Sequence, residues 1–525
     1  MNISIKNFLR GPYTLWNDSE IQTYSSPVPH KWLPGDVVNA ADGAVLERKT
    51  KRAAAIVGIV DFLSRTGYGF TARNVPLYMF HPLDPAYPPM IVASKTRPAT
   101  NKIALVSFEH WESKWPRGGI QRIMGDVGNP ETEKAALLLR AGAGRSLSLD
   151  PPASEGPKAP VAPTWDRVIN IDPVGCIDVD DVLCWKRMDD HTTIFGIAIA
   201  DASAWVPAGS ELDAAAAALG QTIYVNGSVH TPMLPTSISS ESASLRADGV
   251  ARPVLALFFH VCDGTVASVE WKQMTVVVDT AFTYDSVYED AVACERIREF
   301  IGALGLGLGL AEETDSHRWI EIAMLEYNRR AAETLIAAGG GLFRNHAGRP
   351  LAEWAELAES TGVRELAWFG SSSGMYETES KGHSGLNLLH YCHASSPLRR
   401  YADLVNQRAL KCVLFGGEDK SEVNAALATH LNERGRALKA LDRDLWFLDH
   451  FRTDTLCEAV GYIVEKREED GTYKVYVPEW KRKVRAKAKS GDLECVGQGQ
   501  RVSVCAFTDL RATSWDSRII CNISA

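Results

Sequence analysis

Four aspartates fall within ten residues of this chain, at Asp172, Asp178, Asp180 and Asp181. If their carboxylates converge, two charges about 6 Å apart at an effective dielectric constant of about 20 repel each other by about 3 kcal/mol. A fold that gathers all four therefore needs bound protons or a bound cation. Carboxylate oxygens are hard ligands, and they favour Mg²⁺ or Mn²⁺.

The residues around these aspartates predict a turn between two strands. Residues 168–171 are mostly β-branched, and they predict a strand that ends at Asp172. Pro173 and Gly175 interrupt this strand, and residues 182–185 return to apolar character. Side chains alternate along a strand, so the four carboxylates converge only if the backbone bends here. Two alternatives stay open, an acidic surface loop and a calcium loop of another type. The usual Asp-x-Asp-x-Asp-Gly calcium pattern is absent.

Length and composition indicate a multidomain globular protein. At 525 residues the chain should divide into roughly two to four domains. Its 45% hydrophobic and 23% charged residues are ordinary for a soluble protein. The net charge of −9 neither indicates nor excludes a nucleic-acid partner, because basic residues can be confined to a channel.

Cysteine usage and hydropathy bear on location. The ten cysteines include no Cys-x-x-Cys pair, which predicts reduced thiols in an intracellular protein and no zinc site. No apolar run reaches about 18 residues, so we expect no membrane span. A cytoplasmic location is expected, and the lack of acidic residues before Asp18 leaves an organellar location open.

The pattern along the chain predicts an α+β fold. Short β-rich segments between Pro and Gly turns predict a small barrel, a Gly-, Pro-, Ser- and Ala-rich stretch predicts a linker, and strands followed by helices predict the main domain. Gly305 to Leu310 is expected to be a loose connector. The predicted segments are an N-terminal extension at 1–49, a barrel at 50–140, a linker at 141–163, the main domain at 164–455 and a second barrel at 456–525.

The segment that begins at Trp480 is basic and alternating, and it follows Tyr473 and Tyr476. A barrel with exposed aromatic rings and cations is a common platform for single-stranded nucleic acid. On this interpretation Trp480, Lys481 and Arg482 contact the nucleic acid. A solvated edge strand protected by lysines is the alternative.

A second constellation runs from Ser396 to Asp403. Serine before proline predicts a helix start, with Ser396 as N-cap and Pro397 at the first helical position. Arg399 and Arg400 would then lie in the first turn, where a cation is unfavourable unless an anion such as phosphate is bound. The alternative is that Arg399 and Asp403 form an ion pair along the helix, worth about 0.3 kcal/mol. Carboxylates that bind metal and guanidinium donors together suit phosphodiester hydrolysis.

Five motifs in this order and spacing resemble the ribonuclease II / ribonuclease R (RNB) family. The resemblance implies an RNB-type α+β catalytic domain flanked by small OB-like barrels, cold-shock-type at the N-terminal side and OB-type at the C-terminal side. The motifs are Ile-Asp-Pro-x-x-x-x-Asp-x-Asp-Asp at 171–181, Ile-Ala-Asp-Ala-Ser at 199–203, Met-Leu-Pro at 233–235, His-Ser-Gly-Leu at 383–386 and Ser-Pro-Leu-Arg-Arg-Tyr-Ala-Asp at 396–403.

The resemblance implies a processive enzyme that hydrolyses single-stranded RNA from the 3′ end to nucleoside 5′-monophosphates. It would use Mg²⁺, with Mn²⁺ as a substitute, and would be a monomer without an organic cofactor or a membrane partner. Asp172 and Asp181 would hold the metal, Asp178 would assist with metal or water, and Asp180 would be a metal ligand and the carboxylate most needed for chemistry. Arg399 would stabilise the scissile phosphate.

Further RNA contacts are implied for Tyr224, Arg400 and Asp442. Tyr224 would stack on the terminal bases and help to set the size of the final product, and Asp442 would lie near the 3′ end. The chain departs from the family at Gln407, where a His is usual, and at 394–395, where Ala-Ser replaces an aromatic-Thr pair. Neither change removes a metal ligand, so activity is expected. The alternatives are an RNA-binding regulator with little or no catalysis and a metal-dependent nuclease acting on DNA.

Overall fold

The computed structural model of the protein describes residues 2–5, 8, 13–16, 21–24, 31–39, 42–48, 55–143, 164–305, 313–348, 352–369, 373–417, 423–451, 456–467, 471–488, 497–509 and 512–524. The contacts divide the chain into two units. The first comprises residues 1–144, 350–370 and 437–525, and the second comprises residues 145–349 and 371–436. Most of the predicted linker, from residue 144 to 163, and all but the first residue of the predicted connector at Gly305–Leu310 lie outside the described residues.

Most of the helices come after the strands of the large sheet, in the order that the sequence predicts for the main domain. Within the described ranges they are α1 (Pro130–Arg140), α2 (Glu211–Leu219), α3 (Ala291–Ala303), α4 (Ser316–Ala337), α5 (Ala352–Thr361), α6 (Tyr401–Phe415) and α7 (Ala425–His450). Side chains cap several of them. Asn129, for example, accepts the Thr132 amide and is followed by proline at the start of α1. None of these described helices is both long enough and apolar enough to cross a bilayer.

The first unit begins with a sheet and continues into a closed barrel. The strands of the sheet are β1 (Asn2–Ile5), β2 (Tyr13–Trp16), β3 (Ile21–Tyr24), β4 (Val37–Val38) and β5 (Val45–Glu47). Those of the barrel are β6 (Ile56–Asp61), β7 (Leu77–Pro82), β8 (Met90–Ala93), β9 (Lys102–His110) and β10 (Arg117–Asp126). The sheet order is β3-β2-β1-β4-β5, and the barrel order is β10-β8-β7-β6-β9. The barrel confirms the prediction for this region, whereas the sheet was not predicted.

The second unit contains a six-stranded sheet in the order β17-β16-β13-β12-β11-β18. Its strands are β11 (Arg167–Asp172), β12 (Asp181–Arg187), β13 (Thr192–Ala200), β16 (Arg252–Cys262), β17 (Thr265–Val276) and β18 (Thr280–Thr283). The pairs β14 (Ile223–Val225) with β15 (Ser228–Thr231) and β19 (Phe343–Asn345) with β20 (Met375–Glu377) form two-stranded ribbons. Only β18 runs parallel to its neighbour in the large sheet.

Alternating side chains of the large sheet pack on helices. Along β13 the residues Phe195, Ile197 and Ile199 are almost fully buried, and they share one core with Phe300 of α3 and Trp319 of α4. The central strands β13 and β16 are buried on both faces, so they read as continuous apolar runs. This packing fixes the ends of β11, β12 and β13, where the acidic residues lie.

The first unit ends in a second closed barrel, in the order β21-β22-β23-β25-β24. Its strands are β21 (Cys457–Arg467), β22 (Thr472–Val477), β23 (Arg482–Ala488), β24 (Arg501–Thr508) and β25 (Ile519–Ser524). The α+β fold with two small barrels is thus confirmed. The domain boundaries stay predictions, and the contact division differs from them in assigning residues 350–370 and those from 437 onward to the first unit.

The prediction that the aromatic residues of this barrel are exposed is wrong. Tyr473, Tyr476 and Trp480 are only 4–5% exposed. Trp480 lies in the core against Trp446 and Phe451, with ring centroids 6.2 and 5.7 Å away. Tyr473 and Trp480 face inward because the barrel needs their rings to fill its core. Tyr476 instead packs in a separate cluster against Phe369, with ring centroids 4.7 Å apart. Trp480 therefore has no exposed face for stacking on a base.

Candidate active site

The predicted bend in the acidic segment is present. β11 and β12 are antiparallel neighbours, and residues 173–180 form the loop between them. Gly175 supplies a backbone φ of +80°, a conformation that favours glycine. Ser244 anchors the loop, because its hydroxyl accepts the Val179 amide at 3.0 Å and donates to the Ile177 carbonyl at 2.9 Å. The loop is therefore fixed by hydrogen bonds from a distant segment.

All four aspartates line one cavity of about 730 Å³ in the second unit. Asp178 and Asp180 are buried, and Asp172 and Asp181 are partly buried. Tyr224 also lines the cavity, and its hydroxyl donates to Asp178 Oδ2 at 2.6 Å. The structure thus brings the predicted acidic cluster and the predicted stacking tyrosine together.

Asp180 joins this cluster to the arginine segment. Its Oδ2 accepts a hydrogen bond from Arg399 Nε at 2.9 Å, and its Oδ1 accepts the Leu398 amide at 2.9 Å. Arg399 also donates from its terminal nitrogen to Ser396 Oγ at 3.0 Å. Both carboxylate oxygens of Asp180 are therefore held in place before any substrate binds.

Burial and mutual repulsion disfavour the ionised form of the carboxylates. Burial raises the pKa of Asp180 to about 7, although the charge of Arg399 acts in the opposite direction. Burial also raises the pKa of Asp181 well above its usual range, and the nearby charge of Asp172 raises it further. The pKa of Asp172 is raised by burial as well. The cavity thus holds more negative charge than its surroundings stabilise, which favours a bound cation.

The donors fit a divalent cation that takes few protein ligands. In the part of the chain that the structure describes, no three His, Cys, Asp or Glu side chains are placed to hold a metal ion together. Mg²⁺ commonly takes only one or two carboxylates and completes its shell with water and substrate phosphate. The Asp181 carboxylate has no hydrogen-bond donor among the described residues, and it lies close enough to Asp172 for their charges to interact. Metal binding by Asp172, Asp178, Asp180 and Asp181 stays a prediction.

The predicted helix start at Ser396 is wrong. Helix α6 begins at Tyr401, and Arg400 precedes it with an extended φ of −133°. Ser396 cannot cap the helix because its amide donates to Asp403 Oδ1 and its hydroxyl accepts from Arg399. The predicted alternative pair of Arg399 with Asp403 is also wrong, since Arg400 is the residue that binds Asp403, at 2.8 Å.

The remaining RNA contacts predicted from the sequence fall in two places. Arg400 lines the cavity of the second unit. Asp442 and Arg482 belong to the first unit, where they pair at 3.0 Å, and Lys481, which precedes Arg482 in sequence, is exposed. A role in RNA binding stays a prediction for these four residues. Trp480, buried in the barrel core, is not proposed again.

Sequence reasoning missed one wall of the cavity. Helix α4 presents one face to it, and Tyr284, Tyr391 and Ser395 also line it. Asn328 is 2% exposed in the middle of α4, and a buried amide within an apolar helical pattern is a signal that could have found this wall. The α4 residues that line the cavity are Ile320, Glu321, Met324, Leu325 and Asn328.

Gln407, the departure from the family pattern, is completely buried beside the cavity. Its amide donates to the Ala200 carbonyl at 2.8 Å, and its oxygen accepts the Ser203 amide at 3.1 Å. The Ala200 amide in turn donates to the Asp180 carbonyl at 2.8 Å. Gln407 thus provides hydrogen-bond partners for the Ala200 carbonyl and the Ser203 amide, in the segment that bonds to the backbone of Asp180.

Family models match most of the described fold. The RNB domain model matches residues 165–299 and 290–416, and the Dis3-like cold-shock domain 2 model matches residues 77–142. The cavity with its aspartate loop lies within the residues that the RNB domain model matches. The first closed barrel overlaps the residues that the cold-shock domain model matches. The fold and the site define a protein with an RNB domain. The match covers just under half of the chain, and in this domain the chain is similar to the ribonuclease II / ribonuclease R (RNB) family.

Similar proteins include exoribonucleases of bacteria. Exoribonuclease 2 of Klebsiella pneumoniae (strain 342) is 28% identical over 362 residues, covering 54% of this chain and 56% of the relative. Exoribonuclease 2 of Escherichia coli (strain K12 / DH10B) is 28% identical over 366 residues, with the same coverage. This chain therefore spans little more than half the length of these relatives.

Two solved structures share the fold. Mycoplasma genitalium RNase R in complex with ribose methylated single-stranded RNA aligns over both whole chains with a TM-score of 0.71 and 17% identity. Yeast Ssd1, a pseudonuclease, aligns over 97% of this chain and 81% of its own, with a TM-score of 0.65 and 16% identity. At these identities the likeness establishes the fold alone.

Proposed function

We propose that this protein is a divalent-metal-dependent 3′→5′ exoribonuclease that hydrolyses single-stranded RNA processively to nucleoside 5′-monophosphates. The observation that carries the proposal is the Asp180–Arg399 pair inside a cavity lined by three more aspartates. The match of the RNB domain model and the similarity to exoribonucleases support it. A monomer in the cytoplasm without an organic cofactor stays a prediction.

Arg399 is suited to bind the scissile phosphate. Its Nε is fixed on Asp180 and one terminal nitrogen is fixed on Ser396, so the orientation of the planar guanidinium is determined. The side chain is 41% exposed, which leaves part of its edge accessible from the cavity. A preoriented guanidinium stabilises negative charge as it develops on a phosphate without reorganisation.

The aspartates would hold the metal. Asp172 and Asp181 would bind Mg²⁺, or Mn²⁺ in its place, and Asp178 would assist with metal or water. The metal when bound supplies an activated hydroxide and stabilises the leaving oxygen. Asp180 would complete the cluster while it keeps Arg399 in position. Tyr224 is 39% exposed at the cavity, so its ring is available to stack on a base while its hydroxyl holds Asp178.

The test is incubation of 5′-labelled single-stranded RNA with the protein and Mg²⁺. We expect the full-length RNA to be converted directly to a short 5′-labelled product without intermediates, with mononucleotides released from the 3′ end, and both changes to be abolished by chelation. A ladder of internal cuts would contradict the proposal. Tight RNA binding without cleavage would favour the RNA-binding regulator, and equal degradation of the matching DNA would favour a nuclease without sugar preference.

A further inference from the structure

The cavity lining carries three hydroxyl groups that the catalytic proposal does not assign to the substrate. Tyr391, Ser395 and Ser396 line the cavity, and they are only 8%, 2% and 3% exposed. A buried hydroxyl has one hydrogen to donate and lone pairs to accept with, and it normally uses both. The direction of the hydrogen bonds at these three groups therefore determines what the wall can bind.

Asn328 determines that direction for two of them. Its Oδ1 accepts the Ala394 backbone amide at 2.8 Å, and a backbone N–H can only donate, so the orientation of the side-chain amide is fixed. Its Nδ2 then donates to Ser395 Oγ at 3.1 Å and to the Tyr391 hydroxyl at 3.3 Å. Both hydroxyl oxygens must act as acceptors towards Asn328.

The third hydroxyl oxygen also acts as an acceptor, in this case from an arginine. Ser396 Oγ accepts a hydrogen bond from the terminal nitrogen of Arg399 at 3.0 Å. Within the described part of the chain, the hydroxyl hydrogens of Tyr391, Ser395 and Ser396 have no acceptor. Each of the three groups is thus left with a hydrogen to donate, on the wall of a cavity large enough for a nucleotide.

We propose that Tyr391, Ser395 and Ser396 form a hydroxyl triad that donates to the non-bridging oxygens of one RNA phosphate. Arg399 and Arg400 line the same cavity, and their positive charge favours an anionic acceptor over a neutral one. The triad rests on the proposed function, because it deepens how that site holds its substrate. Asn328 is the positioning residue, since it holds two of the hydroxyls as donors towards the cavity.

Three variants separate this role from general damage. Ser395→Ala and Tyr391→Phe each remove one donor and little volume. Asn328→Asp keeps the shape and the acceptor for Ala394 but replaces the NH₂ donor by an acceptor, so the two hydroxyls should turn towards it and away from the cavity. Tyr376→Phe is the matched control, because the Tyr376 hydroxyl bonds His393 at 2.7 Å and does not line the cavity.

The experiment is equilibrium binding of a short single-stranded RNA to the full chain in EDTA, which prevents hydrolysis. The RNA is compared with versions that carry one neutral methylphosphonate, moved along the 3′-terminal linkages. At one linkage the wild-type protein should lose at least about tenfold in affinity, since a hydrogen bond to a charged group contributes about 1.5–3 kcal/mol. Ser395→Ala and Tyr391→Phe should each bind unmodified RNA about tenfold more weakly, and Asn328→Asp about a hundredfold more weakly.

The decisive result is coupling between protein and RNA changes. The methylphosphonate that weakens RNA binding by the wild-type protein should reduce the affinity of Ser395→Ala by a factor at least about threefold smaller. Tyr376→Phe should lose as much affinity as the wild type. Equal losses in the wild type and Ser395→Ala at every linkage would overturn the triad. Coupling to a 2′-deoxy substitution instead of the methylphosphonate would overturn the phosphate assignment in favour of ribose.

The triad and the proposed function fail in different ways. If the wild-type protein degrades RNA with Mg²⁺ but shows no coupling in EDTA, the exoribonuclease stands and the triad is wrong. If it neither binds nor degrades RNA, both are wrong. Should Asn328→Asp fail to fold, as circular dichroism would reveal, the Ser395→Ala and Tyr391→Phe cycles still decide the question.

Discussion

Arg399 donates from Nε to Oδ2 of Asp180 at 2.9 Å, although 219 residues separate them in the chain. Asp180 closes the loop between β11 and β12, and Arg399 lies in the turn before α6. The acidic segment and the arginine segment, which the sequence presents as two motifs, are therefore one site. Each residue also removes a problem for the other, because a buried carboxylate and a guanidinium are both costly without a partner.

Arg399→Lys should lower the cleavage rate by roughly 100-fold, because a lysine ammonium lacks the planar fork that donates to two fixed partners at once. RNA affinity should change much less. Steady-state kinetics with RNA binding in parallel checks this. Arg187→Lys is the control, since the Arg187 guanidinium binds the exposed Asp190 and the Asp189 carbonyl and does not line the cavity. Equal rates for Arg399→Lys and the wild type would remove Arg399 from the mechanism.

Tyr224→Ala should lengthen the final product and weaken binding of short RNA by about 1–3 kcal/mol, because one stacking contact is lost. Tyr224→Phe should keep the wild-type product, because it retains the ring and loses only the bond to Asp178. Product length is read on a sequencing gel. An unchanged product for Tyr224→Ala, or a lengthened one for Tyr224→Phe, would show that stacking does not set the limit.

Trp480→Ala should reduce the free energy of unfolding by about 3–5 kcal/mol, because it empties the core of the second barrel. Denaturant titration checks this loss of stability.

The double variant Lys481→Gln with Arg482→Gln should leave stability nearly unchanged but flatten the dependence of RNA affinity on salt, by up to about 1.4 in the log–log slope for two lost phosphate contacts. An unchanged slope would mean that this surface does not bind RNA.

Acid should destabilise the protein through His383. Burial lowers the pKa of His383 from 6.5 to about 4, and the charges of His346 and Arg344 act in the same direction. The unfolded chain takes up this proton near pH 6.5 and the folded protein only near pH 4, so stability is full above pH 6.5 and is lost as pH falls through about 4. Urea unfolding across this pH range should show that His383→Phe loses less stability on acidification than the wild-type protein. Identical pH dependence in both proteins would refute this.

Much of the fold was predictable where local patterns are strong. The two small barrels were predicted, because Pro, Gly and β-branched residues mark their short strands clearly. The start of α6 was not, because backbone bonds from Gly220 and Thr222 to the segment 399–401 hold it extended. Such bonds between distant segments leave no local signal.

The charged residues of the site and Tyr224 were predictable, whereas the hydroxyl and amide residues beside α4 were not. Four aspartates and two arginines stand out in composition and spacing. Asn328, Tyr391 and Ser395 gain their meaning only from the direction of their hydrogen bonds, which depends on how α4 packs beside the arginine segment. Trp480 was misplaced because a barrel's alternation does not say which side faces inward.

The central claim is that the aspartate cluster and Arg399 together hydrolyse RNA. Its most direct test is to digest single-stranded RNA with the wild-type protein and with Asp180→Asn in water enriched in ¹⁸O, and to analyse the products by mass spectrometry. Nucleoside 5′-monophosphates carrying one ¹⁸O in the phosphate from the wild type, with release reduced at least about 100-fold in the variant, are predicted. Cyclic phosphates, nucleoside diphosphates, unlabelled products or equal release by the variant would contradict it.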